Sequence, residues 1–346
     1  MREQIALNAL WSPLITIAIP TYNRASIVME CVESALAQSY GNIEVVVSDN
    51  ASSDNTVASL NAVDDDRLRV LTSPQNLGPS RNFDTCVREA KGDYVVLVSD
   101  DNILGSQFIE RCVNLVRQEP GIPIVVSAYD VLVADEFRQN ERRPVPTRIS
   151  KSLSTGIWQG TDIAAEYLRG RLSAQLLSSL IRTDILRRNG GYSSHPYAAD
   201  VATWLPVLLE GRSGLVNESC ITDIVHGSSL SERADADDRF GDLHKVMEEI
   251  SIIIEQQVAD YALRRRLQRL TIRYVAYVAM INLVIYRRSG ASLIDVVRKL
   301  WSWRKFVGQC TMMDFAATIR LRSLGRILLP KPFVRWSLML RLDRLL

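Results

Sequence analysis

Tyr94-Val-Val-Leu-Val-Ser-Asp-Asp-Asn102 is the stretch on which the interpretation of this chain depends. Its apolar, β-branched run predicts a buried strand that ends directly on two neighbouring carboxylates. Ligands of open α/β sheets bind at the carboxyl ends of strands, where Asp100 and Asp101 would stand. Two adjacent acids favour a divalent cation, because hard cations prefer oxygen ligands. Asp is also common in turns and helix N-caps, so this stretch alone leaves both interpretations open.

The composition predicts a globular chain with an acidic body and a basic tail. Of the 346 residues, 47% are hydrophobic, which is enough to build a sizeable core. Residues 261–346 hold 18 Lys and Arg against 3 Asp and Glu, so the net charge of +2 leaves −13 on residues 1–260. The five cysteines are widely spaced without a Cys-x-x-Cys pair, which argues for reduced thiols in the cytoplasm and against a disulfide framework or zinc site.

Targeting signals are not evident in the sequence. The segment from Met1 to Pro13 carries an acid and has no apolar run of signal-peptide length, so we expect no export. A membrane-spanning helix needs about 18 uninterrupted apolar residues. The nearest stretch, from Tyr274 to Tyr286, has 13 residues.

Strands and helices alternate through the first hundred residues. Apolar runs predict strands at 14–19, 42–48, 67–71 and 94–98, and helical spacing predicts helices after Ser26, after Ser53 or Asp54, and up to Ala90. This order predicts a largely parallel sheet with right-handed crossovers. Similar polar loops follow three of the strands, at 21–24, 49–54 and 99–102, so we expect them to converge on one crevice. Neither a P-loop nor a dinucleotide-binding glycine motif is present.

The pattern is less regular after residue 102. We predict helices at 106–118, 161–172 and 201–210, strands at 122–129 and 216–225, and a variable polar loop at 135–156. Residues 175–181 fit a helix or a strand, and residues 190–200 form a loop that ends where Asp200 starts a helix. From Asp237 to Arg288 the pattern is helical, and this character continues to the C-terminus.

Several motifs occur together in a recognisable order. They are Ile-Pro-Thr-Tyr-Asn-Arg (19–24), Val-Ser-Asp-Asn-Ala-Ser-Ser-Asp-Asn-Thr (47–56), Asn-Leu-Gly with Arg81-Asn82, Ala-Lys-Gly-Asp-Tyr (90–94), Ser-Asp-Asp (99–101), Ala-Ala-Asp (198–200) and His226-Gly-Ser-Ser-Leu-Ser. In order and spacing this set resembles the inverting glycosyltransferases of family 2, most of all those that build bacterial O-antigen and other surface polysaccharides. The resemblance covers about residues 12–231.

The resemblance implies an α/β architecture of the GT-A type, a Rossmann-like, mostly parallel sheet flanked by helices. Residues 1–235 would form the catalytic domain, and residues 236–346 a helical, basic region. The implied reaction moves a sugar from a nucleotide-sugar donor, with a UDP-sugar favoured, to a growing, lipid-linked surface glycan.

Specific residues are implied for binding the donor. They are Pro20, Thr21, Tyr22 and Arg24 around the base and ribose, Asp49 as acceptor of hydrogen bonds from the base, Asp54 as support of that loop, Arg81 near the pyrophosphate, and Ser99 and Asp100 at the same donor site. Ordinary loop and helix-cap chemistry is the alternative explanation for Asp49 and Asp54.

A divalent metal, Mn²⁺ or Mg²⁺, is implied at the family's Asp-Xaa-Asp motif. Asp101 matches the last Asp, and His226 matches a position near the metal in some relatives, although a lone His is more often structural. Ser99 stands in place of the first Asp, so the site lacks one formal charge and we expect a weaker metal site. Asp100 or Asn102 would assist, and a shifted register with Asp100 as the first acid is also compatible with the sequence.

Asp200 matches the family's general base, which deprotonates the acceptor hydroxyl opposite the leaving group. A helix N-cap is the alternative role. A nucleotide-sugar pyrophosphorylase would need a glycine-rich loop where this chain has Pro20-Thr-Tyr-Asn-Arg24. Because of Ser99, a catalytically weak nucleotide-sugar-binding partner in an assembly complex remains the second hypothesis.

The basic tail interleaves arginines with leucines and tryptophans, as in Trp301-Ser-Trp303 and in residues 333–346. Such amphipathic helices lie in the interface of an anionic membrane, so we predict peripheral attachment to the cytoplasmic face of the inner membrane. A helical subdomain packed on the catalytic domain is the alternative. Nucleic acid is not an expected partner, because no nucleic-acid-binding motif accompanies the charge.

Overall fold

The computed structural model describes residues 11–135, 138–145, 147–192, 195, 199–225, 236–288, 292, 294, 295 and 298. His226 and most of the basic tail lie outside these residues, so the predictions made for them are not addressed by the structure.

The first half of the fold is a parallel sheet in the order β3-β2-β1-β4. Its elements are β1 (Ile15–Thr21), α1 (Val28–Leu36), β2 (Ile43–Asp49), α2 (Thr56–Asn61), β3 (Leu68–Thr72), α3 (Pro79–Glu89) and β4 (Tyr94–Leu97). Every residue of β1 is buried, as expected for a central strand covered by helices on both faces. The predicted alternation of strands and helices is confirmed here.

The second half extends this sheet with strands of both directions. Its elements are β5 (Ile103–Leu104), α4 (Phe108–Gln118), β6 (Ile124–Asp135), β7 (Arg138–Val145), β8 (Gly156–Gln159), α5 (Gly160–Leu168), a 3₁₀ turn (Leu176–Ser178), β9 (Ser179–Arg182), α6 (Thr183–Arg188), α7 (Ala199–Leu209) and β10 (Arg212–Val225). The order continues β4-β9-β6-β10-β5, with β7 beside β6 and β8 beside β10.

The strand directions bring distant parts of the chain to one edge of the sheet. β9 is antiparallel to both β4 and β6, and β6 is parallel to β10. As a result β6 and β10 run in the same direction as β1 and β4. The carboxyl ends of all four strands therefore meet at the edge where the polar loops lie.

Some expectations were wrong in detail. Residues 135–156 are not one loop, because β7 pairs antiparallel with β6. The sequence of β7 is polar, so its pattern does not predict a strand that backbone pairing with β6 forms. The two-residue strand β5 is too short to be read from a pattern. Ser26 does not cap α1, which begins at Val28 without a side-chain cap, and Asp200 lies inside the first turn of α7.

Two long helices, α8 (Ala236–Gln257) and α9 (Tyr261–Arg288), follow the sheet. They pack on α7 and α5, and their apolar residues, such as Val246, Ile250 and Leu267, share one buried cluster with Trp204 of α7. The domain boundary at residue 235 stays a prediction, and it falls before helices that complete this core. Among the described residues, no helix is both long enough and apolar enough to cross a bilayer.

Candidate active site

The loops after β1 and β2 and the start of α3 are joined by buried amide side chains. Asn82 is buried in the first turns of α3, where its Nδ2 donates to the carbonyls of Ser48 (2.9 Å) and Thr21 (3.2 Å), and its Oδ1 accepts from Ser48 Oγ (2.7 Å). Asn50 accepts from the Leu77 N–H through its Oδ1 (2.8 Å). These bonds fix the ends of two parallel strands relative to each other.

The loops after β1 and β2 also bond directly to each other. Asn23 Oδ1 accepts from the Ser53 N–H (2.8 Å), and the Asn23 N–H donates to Ser52 Oγ (2.8 Å). The Asp54 carboxylate accepts from the Thr56 hydroxyl and from the N–H groups of Thr56 (3.0 Å) and Ala25 (3.2 Å). The Thr56 hydroxyl above all, and then the two N–H groups, lower the pKa of Asp54 although burial opposes them. Asp54 therefore joins the two loops.

Two residues in these loops adopt left-handed backbone conformations. Asn23 has φ 53°, which Asn tolerates, and Ala51 has φ 64°, which costs an alanine roughly 1 kcal/mol or more. Strain of this kind persists only where neighbouring bonds enforce it, and both residues lie within the network just described. The crevice thus has a rigid wall on this side.

Asp49 is the last residue of β2, where the loop that forms part of this wall begins. Its side chain is buried, and its Oδ2 accepts from the Ser52 N–H (2.9 Å). Its Oδ1 has no hydrogen-bond partner among the described residues. A buried carboxylate oxygen without a partner can accept a hydrogen bond from a ligand such as a nucleobase.

The turn from Ser99 to Asn102 follows β4 and is closed by a bond from the Asn102 N–H to the Ser99 carbonyl (3.1 Å). Asp100 Oδ2 accepts from Thr21 Oγ1 (2.7 Å), and Asp100 Oδ1 lies 4.0 Å from Arg24 Nε. Burial, followed by the charge of Asp101, raises the pKa of Asp100 to about 6 against the opposing effects of Thr21 and Arg24. The turn is therefore held against the loop after β1.

Asp200, the predicted base, lies in the first turn of α7. Tyr192 Oη donates to its Oδ1 across 3.5 Å, a long hydrogen bond. Burial raises the pKa of Asp200 to about 6, with the Tyr192 bond opposing. The ring of Tyr192 stacks on Phe83 of α3, with centroids 4.4 Å apart, so the rigid wall and the Asp200 side of the crevice are in contact.

Aromatic residues surround this second side of the crevice. Tyr167 of α5 packs edge-on against Trp204 (4.9 Å between centroids), and its hydroxyl lies 2.6 Å from that of Tyr274 on α9. The pKa of Tyr167 is raised by burial, then by Tyr274, Tyr129 and Asp200. The helical region after residue 235 therefore contributes to the surroundings of Asp200.

Asp223 is an acidic residue of the site that the sequence analysis missed. It lies near the carboxyl end of β10, opposite Val131 of β6. Its pKa is raised to about 6 by burial, and then by the charges of Asp101 and Asp200, while Gln175 opposes the shift. Asp223 belongs to no sequence motif. The pairing of β5 with β10 brings it beside the turn after β4.

A divalent cation fits the charge of this site. Asp100, Asp101, Asp200 and Asp223 gather at one edge, and such an excess of carboxylates favours a cation. Within the described part of the chain, no three His, Cys, Asp or Glu side chains are close enough together to form a metal site by themselves. Magnesium sites commonly use one or two carboxylates and complete the shell with water and substrate phosphates, which suits this arrangement.

The remaining predicted residues differ in exposure. Pro20 and Thr21 are buried in β1, and Ser99 and Asp101 are half-buried. Tyr22 is 44% exposed, and Arg81, in the first turn of α3, is also exposed. Their roles toward a donor, and that of His226, stay predictions.

Known proteins share parts of this sequence. Residues 16–169 match the family model for glycosyl transferase family 2. Glycosyltransferase GlyG of Streptococcus pneumoniae serotype 4 is 34% identical over 120 residues, 34% of this chain and 40% of that protein. Chondroitin synthase of Pasteurella multocida is 24% identical over 225 residues, 63% of this chain and 21% of that protein. The chain thus spans less than half of the length of these relatives.

The fold also has a counterpart among solved structures. Residues 1–349 of S. aureus TarS, crystallised in complex with UDP-GlcNAc, superpose with a TM-score of 0.67 at 15% identity, covering 90% of this chain and 88% of that one. This likeness confirms the predicted GT-A architecture. The family match covers residues 16–169, just under half of the chain, and the superposition adds the fold alone.

Proposed function

We propose that this protein transfers a sugar from a UDP-sugar to a hydroxyl group of a growing bacterial surface polysaccharide, with inversion at the anomeric carbon. The proposal rests on the observation that two different walls of the crevice lie at the same edge of the sheet. One is a rigid loop network with an unpartnered Asp49 oxygen, and the other is a set of partly desolvated carboxylates that includes Asp200.

The donor nucleotide would lie against the loops after β1 and β2. The free Asp49 Oδ1 would accept a hydrogen bond from the base, and Tyr22, exposed at the rim, would cover the base or ribose. The exposed Arg81 would lie toward the diphosphate, and Arg24, which the sequence assigned to the base and ribose, would reach it from beside Asp100. Because the loops are already fixed by Asn82 and Asp54, binding would require little ordering of the protein.

Asp200 would act as general base toward the acceptor hydroxyl. Its pKa of about 6 keeps the carboxylate ionised at neutral pH and makes it a stronger base than an exposed aspartate. A single carboxylate opposite the leaving group is the arrangement for direct displacement, in which the acceptor oxygen forms the new bond as the diphosphate leaves. Tyr192 would hold the Asp200 side chain in place.

Asp101 would hold a divalent metal, with Asp100 nearby and further ligands from the donor and from His226. The metal would neutralise negative charge on the leaving diphosphate. Arg24, 4.0 Å from Asp100, would orient that carboxylate and add positive charge at the same place.

The names of several relatives support a role in polysaccharide synthesis. They include the chondroitin synthase of Pasteurella multocida and the succinoglycan biosynthesis protein ExoO of Rhizobium meliloti. We propose a lipid-linked acceptor, with the protein attached peripherally to the cytoplasmic face of the inner membrane. The arginines at 265, 266 and 269 are exposed on α9 and would face anionic headgroups.

A panel of nucleotide sugars tests the proposal. Thermal shift and donor hydrolysis would be measured for the full chain with UDP-, GDP- and dTDP-sugars, each with Mn²⁺, Mg²⁺ or EDTA. We expect stabilisation by UDP-sugars that requires a divalent cation, and slow hydrolysis of one of them. Absence of any stabilisation by all donors would contradict the proposal.

Two further outcomes separate the alternatives. Donor binding without hydrolysis, and without transfer to membrane extracts, would favour a nucleotide-sugar-binding partner over an enzyme. Co-sedimentation with vesicles of anionic and of zwitterionic lipid, at rising salt, tests membrane attachment, and binding that does not depend on anionic lipid would contradict it.

A further inference from the structure

Asp223 is placed beside the turn after β4 by strand pairing and not by a sequence motif. β5 directly follows the Ser99–Asn102 turn and pairs antiparallel with β10, Ile103 opposite Thr222 and Leu104 opposite Ile221. Asp223 directly follows Thr222 on β10, and Asn102 directly precedes Ile103, the partner of Thr222. The register between β5 and β10 therefore fixes Asp223 at the carboxylate turn.

The strand directions place Asp223 at the edge of the sheet where the loops after β1 and β4 lie. β10 is parallel to β6, so its carboxyl end points toward the loops after β1 and β4. The side chain is partly buried there, and the charges of Asp101 and Asp200 both act on it. Asp223 thus lies near both the residue proposed to hold the metal and the residue proposed as base.

The turn itself lacks an acid at Ser99. The Ser99 carbonyl accepts from the Asn102 N–H and from the Cys31 thiol, so this residue takes part in closing the turn. Its hydroxyl cannot supply the negative charge that a divalent cation needs. Asn102, the next polar residue of the turn, is fully buried, and neither of its amide atoms has a partner among the described residues.

We propose that Asp223 supplies the second carboxylate of the metal site, in place of the one that the turn lacks at Ser99. This inference rests on the proposed function. The carboxylate would come from β10 and not from the turn after β4, and would ligate the cation directly or through a bound water. The formal charge of the site is thereby restored with a different strand as its source.

A purely structural role explains Asp223 less well. Gln175 favours the charged form of Asp223, whereas the acidic groups around it disfavour that form. A buried acid placed among other acids is unfavourable in the unliganded protein, which is typical of a binding site and not of a residue retained for stability.

Mn²⁺ titration followed by electron paramagnetic resonance tests the inference without turnover. The full chain would be titrated with Mn²⁺ in the presence of UDP, and Asp223→Asn compared with wild type. Loss of an indirect ligand partner typically weakens metal affinity about 10–100-fold, so we expect a loss of at least about tenfold. Glu218→Gln is the matched control, an exposed acid on the same strand that pairs with Arg111, and it should leave Mn²⁺ affinity unchanged.

A rescue variant makes the test specific. Ser99→Asp combined with Asp223→Asn returns a carboxylate to the turn, and should restore much of the Mn²⁺ affinity lost in Asp223→Asn. Asp223→Glu, which keeps the charge, should lose less affinity than Asp223→Asn. Failure of both variants to recover affinity would contradict the proposal, as would an unchanged Mn²⁺ affinity in Asp223→Asn.

UDP binding separates this inference from the proposed function. If wild type binds UDP in a Mn²⁺-dependent manner and Asp223→Asn does so equally well, the inference about Asp223 is wrong while the glycosyltransferase proposal stands. If wild type binds neither Mn²⁺ nor UDP, the proposed function itself fails. Circular dichroism of each variant checks that a loss of affinity is not a loss of fold.

Discussion

The two walls of the crevice are built by different means. The donor wall, formed by the loops after β1 and β2, is held by hydrogen bonds of Asn82, Asn50 and Asn23 and of the Asp54 carboxylate. The opposite wall contains Asp200 and Asp223, whose pKa values are raised by burial, set among tyrosines. One wall is stabilised by its own contacts, and the other holds charge that the folded protein disfavours.

This difference indicates how the proposed reaction is divided. A hydrogen-bonded wall of fixed shape suits recognition of a nucleotide, since little entropy is lost on binding. Carboxylates with raised pKa values suit proton transfer and cation binding, because the charge they carry is incompletely solvated. Substitution of the hydrogen-bonding asparagines in the first wall and of the carboxylates in the second should therefore have opposite effects on stability.

The largest effect is expected for Asp200→Asn. Loss of the proposed base should lower kcat for transfer by about 10²–10⁴-fold with UDP affinity unchanged. The folded-state pKa of about 6 exceeds the unfolded value of 3.8, so the ionised carboxylate destabilises the fold above pH 6. The variant should therefore melt at a higher temperature than wild type at pH 8 and gain nothing below pH 3.8.

The control for this variant is Asp162→Asn, which changes an acid in the first turn of the neighbouring helix α5. It should retain wild-type kcat. A fall in kcat of equal size in both variants, or a weakened UDP affinity in Asp200→Asn, would remove the distinction between the walls.

The next largest effect is expected for Asn82→Ala in the donor wall. The substitution leaves Ser48 Oγ and two buried carbonyls without their partner, and should lower the free energy of unfolding by about 2–4 kcal/mol. UDP affinity should fall as the loops loosen. Urea unfolding and UDP titration measure the two effects, with exposed Asn61→Ala on α2 as a control that should change stability by less than about 0.5 kcal/mol.

The pH dependence of kcat/KM should report the ionisation of Asp200 in the carboxylate wall. Asp200 must be ionised to accept a proton, so activity should fall as pH drops through about 6. Below that pH, loss of one essential base lowers the rate about tenfold per pH unit. A profile that stays flat to pH 5 would show that no carboxylate of this wall takes part in catalysis.

The smallest effect is expected for Tyr274→Phe. It removes the hydroxyl that lies 2.6 Å from Tyr167 and should lower the free energy of unfolding by about 0.5–1.5 kcal/mol. UDP affinity should not change, since Tyr274 belongs to the carboxylate side. Tyr261→Phe is the matched control, because Tyr261 is 70% exposed on the same helix. An equal effect in both variants would show that α9 does not contribute to the site through the Tyr274 hydroxyl.

The donor wall was predictable because its residues are local in sequence. Asp49, Asp54 and the Asp100–Asp101 pair each follow an apolar strand, and the parallel order of those strands follows from their alternation with helices. Their assignment to base or phosphate came from the family resemblance and not from the strand pattern.

The second wall was only partly predictable, for physical reasons. Asp200 was found by resemblance, but Asp223 lies in the run Cys220-Ile-Thr-Asp-Ile-Val225, which predicts only a strand. Its place in the site depends on the register between β10 and β5, a two-residue strand without a sequence signal. Tyr274 likewise reaches Tyr167 through helix packing across 107 positions of the chain.

The shared core of α7, α8 and α9 bears on the construction of chimeric enzymes. A fusion joint at residue 235 would separate Val246, Ile250 and Leu267 from Trp204, leaving an apolar face on both fragments. Fragments with such faces tend to aggregate. A segment exchanged between relatives should therefore end after α9, at residue 288. The exchanged segment then keeps the helices that cover its core, together with the Tyr167–Tyr274 contact.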